Sequence, residues 1–238
     1  MWSKLLPLAG GLLLAMVVLR SSDEWFAREP NVDAIHAENA RHERERAAAL
    51  PADFVVPPTF ADMLIAIEKL TGSKPVPFLA ERDGASPVST PGFAFAVAND
   101  TVAKALSDTA SVLFRPKGFS LFAYQSDAGL GPSSVVAWPD TVPFAAIESI
   151  GTQGGFMGPE PAQVATWFRD LAKEQPFVIS AIGRDFVQGR FLTDLRDASA
   201  LAKRFNDFCP DIVRQGTRSV RALEIELRES GHLFCWWD

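Results

Sequence analysis

The run Phe208–Asp238, FCPDIVRQGTRSVRALEIELRESGHLFCWWD, constrains the fold more than any other stretch. Pro210 marks a break at a helix end, and Thr217 stands where the next helix needs a cap. Val220, Leu223 and Leu227 then recur on one helical face, Gly231 stops the helix, and Leu233–Trp237 reads as an aromatic strand. A helix with one apolar stripe, followed at once by a strand, has to lay that stripe on a sheet. Trp236 and Trp237 alternate across the strand, so one ring faces the helices and the other the opposite side.

The same reasoning extends upstream. Thr59 caps a helix over Phe60–Leu70 that Gly72 closes, and Val76–Ala80 and Phe93–Ala98 read as strands. Asn99 or Asp100 caps a helix over Thr101–Leu113, with strands at Phe119–Tyr124 and Val135–Trp138 around a loop holding Asp127, Gly129 and Gly131. Pro159–Pro161 opens a helix carrying Val164, Trp167, Phe168 and Leu171. Phe177–Ile182 and Phe186–Leu192 form a hairpin around Gly183-Arg184-Asp185, and Asp197 caps a helix with Leu201, Phe205 and Phe208. The expected fold is α+β: one domain over residues 59–238, a mainly antiparallel sheet, and helices over one or both faces.

Ahead of this domain come two different segments. Met1–Arg20 carries Lys4 and then a charge-free apolar run, Leu5–Leu19, with no small-residue cleavage site after it. It reads as an uncleaved signal-anchor, a single pass through a bacterial inner membrane with the domain outside. The alternative is secretion after cleavage of the segment. Residues 21–58 read as a charged helical spacer and linker, because the apolar positions of Asp33–Leu50 make only a thin stripe. His36 and His42, six apart, lack the spacing that places two imidazoles on one metal.

Composition removes some function classes. A net charge of −6 is the wrong sign for a nucleic-acid binder, which needs a basic stripe. The 18 Phe and 6 Trp against one Tyr place ring area in cores. Cys209 and Cys235 have no CxxC spacing for zinc or redox chemistry; export allows a disulfide between them, and two buried free thiols are the alternative.

The C-terminal signature carries a resemblance. FCPDIV-x-QG, then a helix, then the terminal Trp-Trp-Asp resembles the bacterial family called domain of unknown function 4253. GTQGG and QPFVISAIGRDFVQGRF resemble further parts of it, so the likeness spans about Phe119–Asp238. The chain departs from the family in Cys235 and in its apolar N-terminus. The resemblance implies a domain and no activity.

The candidate pocket comprises Gly151, Thr152, Gln153, Gly154, Asp185, Arg190, Cys209, Asp211, Gln215, Trp237 and Asp238. GTQGG offers amides to an anion but lacks the Lys-Ser/Thr of a P-loop, and a tight turn is the simpler reading. Asp211 after Pro210 reads as a cap for the following turn, and Asp238 as half of a clamp with Arg184, Arg190 or Arg214. His232, the one histidine of the domain, sits at a helix end where a cation complements the dipole. No metal cluster or cofactor motif is expected. A non-catalytic ligand- or protein-binding module fits best. A hydrolase-like enzyme with Asp185, Arg190, Asp211 and Gln215 in one cleft, and a toxin-neutralising partner protein, stay open beside it.

Overall fold

The structure is a computed structural model that describes residues 30–80, 86–124, 133–154 and 158–238. The proposed anchor Met1–Arg20, the loop residues Asp127, Gly129 and Gly131, and Gly155 of GTQGG lie outside the described residues. Among the described residues no helix is long and apolar enough to cross a membrane.

Seven strands form one sheet: β1 (Val76–Ala80), β2 (Val88–Ala96), β3 (Ser120–Tyr124), β4 (Ser134–Trp138), β5 (Phe177–Ile182), β6 (Phe186–Phe191) and β7 (His232–Trp236), in the order β1-β2-β4-β3-β5-β6-β7. Every neighbouring pair is antiparallel except β3 and β5, which run parallel where the two halves join. The helices are α1 (Val32–Ala49), α2 (Phe60–Thr71), α3 (Asp100–Phe114), α4 (Phe144–Ile150), α5 (Pro161–Glu174), α6 (Ala198–Phe208) and α7 (Val220–Ser230). The fold is α+β.

Local chemistry sets the helix ends. Thr59, Asn99 and Asp197 each accept a backbone N–H of the first turn, from Asp62, Val102 and Ala200. Each such cap contributes about 1 kcal/mol. Gly72 and Gly231 close α2 and α7 at φ 68° and 63°, a left-handed conformation that costs glycine little. The cap of α7 departs from expectation. Ser219, not Thr217, accepts the Ala222 N–H, because residues Ile212–Thr217 form a π-helical turn and Arg218 follows at φ 68°. Thr217 instead donates to the Ile212 and Ser219 carbonyls.

Alternation along the central strands divides the core. Phe122, Val136 and Trp138 face one cluster with Phe168, Phe205 and Leu227, while Leu121, Val135 and Ala137 face another with Met63, Ile67 and Phe114. Helices therefore cover both faces, and every residue of β5 is buried. Fully burying each large apolar side chain here contributes roughly 1.5–3 kcal/mol.

The expectation of a solvated spacer at α1 holds only in that none of its residues is buried. The helix packs against α3 and α7. Asn39 Nδ2 donates to the Glu229 carbonyl at 2.8 Å, His36 Nε2 meets Glu229 Oε2 at 2.9 Å, and Thr109 Oγ1 donates to the Arg46 carbonyl at 3.0 Å. Polar contacts hold it, which is why its thin apolar stripe gave no sign of docking.

Candidate functional site

The turn between β5 and β6 gathers most of the candidate residues. Gly151 closes α4 at φ 79°. Thr152 is fully buried, and its Oγ1 donates to the Gly183 carbonyl at 2.6 Å. The amides that the sequence offers to an anion are occupied: Gly151 and Thr152 donate to the Ile147 carbonyl, Gln153 to the Arg184 carbonyl, and Gly154 to the Pro159 carbonyl, at 2.8–3.1 Å. A backbone N–H aimed at a carbonyl offers nothing to a phosphate. The segment is a structural turn.

The C-terminus closes over the same end of the sheet. The Trp237 N–H donates to the Asp185 carbonyl at 2.8 Å, and Trp237 Nε1 to the Phe208 carbonyl at 3.2 Å. The Trp237 ring is buried edge-on to Phe208, with centroids 5.5 Å apart. Trp236 lies half-buried on the other face, stacked on Phe234. Asp211 does not cap the turn that follows it. Its Oδ2 accepts the Asp238 N–H at 3.1 Å, and Asp238 Oδ2 accepts from Gln215 Nε2 at 3.2 Å.

Cys209 and Cys235 are free, buried thiols. Cys209 Sγ donates to the Trp236 carbonyl at 2.7 Å. Burial, with the adjoining Cys209, pushes the Cys235 thiol well above its ordinary range, so it is neutral and a poor nucleophile.

Residues 134–238 match Domain of unknown function (DUF4253). The DUF4253 segment runs from β4 to the C-terminus. It leaves out β3, which the sheet order places between β4 and β5. The likeness read from about Phe119 includes that strand; the match does not. No curated protein and no solved structure matches the chain.

Arg190 is elsewhere. It pairs with His232 at one end of the β6–β7 ladder, whereas Phe186, next to Asp185, pairs with Trp236 at the other. Four residues of strand, about 13 Å, separate the two ends. The structure therefore brings Asp185, Asp211, Gln215, Cys209, Trp237 and Asp238 to one corner with residues 151–154, and leaves Arg190 out.

What surrounds Arg190 was not apparent from the sequence. A recess of about 160 Å³ opens there, lined by Asn39, Glu43, Arg46, Arg190, Ser230 and His232 among others. Asn39, Glu43 and Arg46 stand at i, i+4 and i+7 on α1, one polar ridge along the helix. That ridge was the available signal. His232 is not a cationic surface histidine. Burial, then the charges of Lys104, His42, Arg46 and Arg190, push its imidazole down to about 3, so it is neutral. The His42 ring lies edge-on to it at 5.7 Å.

Two other features stand apart. An apolar groove of about 420 Å³ lies along α5 and α6, with the stacked rings of Trp167 and Phe208 in its lining. Among the described residues, no group of three His, Cys, Asp or Glu side chains is placed to hold a metal ion.

Proposed function

We propose that the chain acts as a non-catalytic binding module, tethered by Met1–Arg20 to a bacterial inner membrane with the domain on the extracytoplasmic side. One observation carries the reading. The polar groups of the C-terminal corner that chemistry would need are engaged within the fold: the amides of residues 151–154, Cys209 Sγ, Trp237 Nε1, and the Asp211 and Asp238 carboxylates. A catalytic acid or base must be free to meet substrate within hydrogen-bond reach. The placement of Arg190 also weighs against the four-residue hydrolase cleft, because it removes the one cation that cleft was assigned.

The test uses the full-length chain, purified in mild detergent and assayed against aryl esters and aryl phosphates. The reading expects no turnover above buffer. It is abandoned if a homogeneous preparation turns over substrate and Asp185→Ala or Asp211→Ala removes that activity. The tether is tested separately. Protease added to spheroplasts should degrade the domain, and alkaline washing should leave the chain in the membrane pellet; protection from protease would contradict the orientation.

A further inference from the structure

We propose that the recess between α1, the end of β6 and the α7–β7 turn binds a small oxyanion, a phosphoryl or carboxylate group held by Arg190 and Arg46. The inference rests on the binding-module reading and supplies its ligand class. The Arg190 Nε is buried without a hydrogen-bond partner, and no ion pair among the described residues includes this side chain. Buried polar groups are nearly always satisfied, and a charged donor without an acceptor is the most costly exception. A ligand oxygen that reaches the guanidinium supplies such an acceptor.

The lining indicates what kind. Arg46 and Arg190 both border the recess, and repulsion between them contributes to lowering the Arg190 guanidinium from its ordinary range, after burial itself. The carboxylates of Asp108 and Glu43 act on Arg190 in the opposite sense. Glu43 is exposed and Asp108 is buried outside the lining, so the cations that border the recess are Arg46 and Arg190. The Ser230 Oγ accepts the His232 N–H at 3.0 Å, which leaves the hydroxyl proton free to donate. A guanidinium edge matches two oxygens of a carboxylate or phosphate, the geometry in which Arg binds such groups best.

Size narrows the choice further. A recess of about 160 Å³ has room for one oxyanion group. The wall is also held in place. Asn39 and Arg46 are fixed at either end of the α1 ridge by the Glu229 carbonyl and by Thr109.

The experiment is calorimetric titration of the full-length chain with inorganic phosphate and, separately, acetate at low ionic strength. The expected result is one saturable site, weakened at least about tenfold in Arg190→Gln and in Arg46→Gln. Tighter phosphate binding identifies a phosphoryl ligand, and tighter acetate binding a carboxylate. Arg46 lies half-buried on a helix surface, so Arg46→Gln decides the matter even if Arg190→Gln fails to fold. The proposal is overturned if neither anion saturates, or if affinity is unchanged in Arg46→Gln. Either failure leaves the binding-module reading standing, because only turnover dependent on Asp185 or Asp211 removes that.

Discussion

Arg190 and His232 are directly opposed partners on β6 and β7, and their side chains share one face of the sheet. One is a cation with a buried, unpartnered Nε, and the other an imidazole held neutral. Helix α1 covers the pair, so residues far apart in the chain make one polar recess.

The first prediction concerns acid. His232 is lowered to about 3 by burial first and neighbouring cations second. The unfolded chain takes up its proton near pH 6.5, and the folded chain does not. The unfolded state therefore binds more protons between these values, and stability falls as pH drops from 6.5 toward 3. The loss from this group is at most about 5 kcal/mol, less where water reaches the ring. Urea unfolding of wild type and His232→Asn at pH 7 and pH 4 should show a smaller acid loss in the variant. Equal losses would mean the ring is protonated in the folded state.

Glu226 works in the opposite sense. Burial raises its carboxyl to about 7. The folded state then holds a proton that the unfolded state releases above about pH 4.5, so stability falls as pH rises from 4.5 to 7. Glu226→Gln should stabilise the protein at pH 8 by up to roughly 3 kcal/mol, and by little at pH 4. Melting temperatures across that range give the answer, and a stabilisation independent of pH would contradict it.

Gly189 lies in β6, where an added Cβ would collide with the Val178 carbonyl of the neighbouring strand. Gly189→Ala should destabilise by at least about 2 kcal/mol, since the obstacle is backbone and cannot swing aside. A denaturant midpoint equal to wild type would show that the β5–β6 pairing is misplaced.

The two candidate caps of α7 are separable. Ser219→Ala should cost about 1 kcal/mol, because Ser219 accepts the Ala222 N–H at 3.0 Å. Thr217→Ala removes only two longer bonds to carbonyls and should cost less. Chemical denaturation of both variants orders them, and the reverse order would return the cap to Thr217.

The caps at Thr59 and Asp197, the cap at Asn99 or Asp100 that the structure resolves to Asn99, the stops at Gly72 and Gly231, and the β5–β6 hairpin depend on residues within a few positions of each other. Periodicity and turn chemistry suffice for those. The neutral state of His232 escapes a helix-end rule because that rule is local, whereas its burial beneath α1 comes from residues nearly two hundred positions away. The docking of α1 leaves no hydrophobic pattern, since Asn39, His36 and the Arg46 carbonyl make its contacts. Asp211 shows the same limit: its partner, the Asp238 amide, is brought back by the last strand. The separation of Asp185 from Arg190 was implicit in the hairpin itself, because a strand carries residues apart at about 3.3 Å each.

The central claim is a division of labour along β6 and β7: the Asp185 end closes the fold, and the Arg190 end meets a ligand. Amide chemical-shift mapping of the isotopically labelled full-length chain during phosphate or acetate titration tests it most directly. The account predicts that shifts concentrate at Asn39–Arg46, Arg190 and Ser230–Leu233. Shifts confined to Gly151–Gly154, Asp185, Asp211 and Trp237–Asp238 would contradict it.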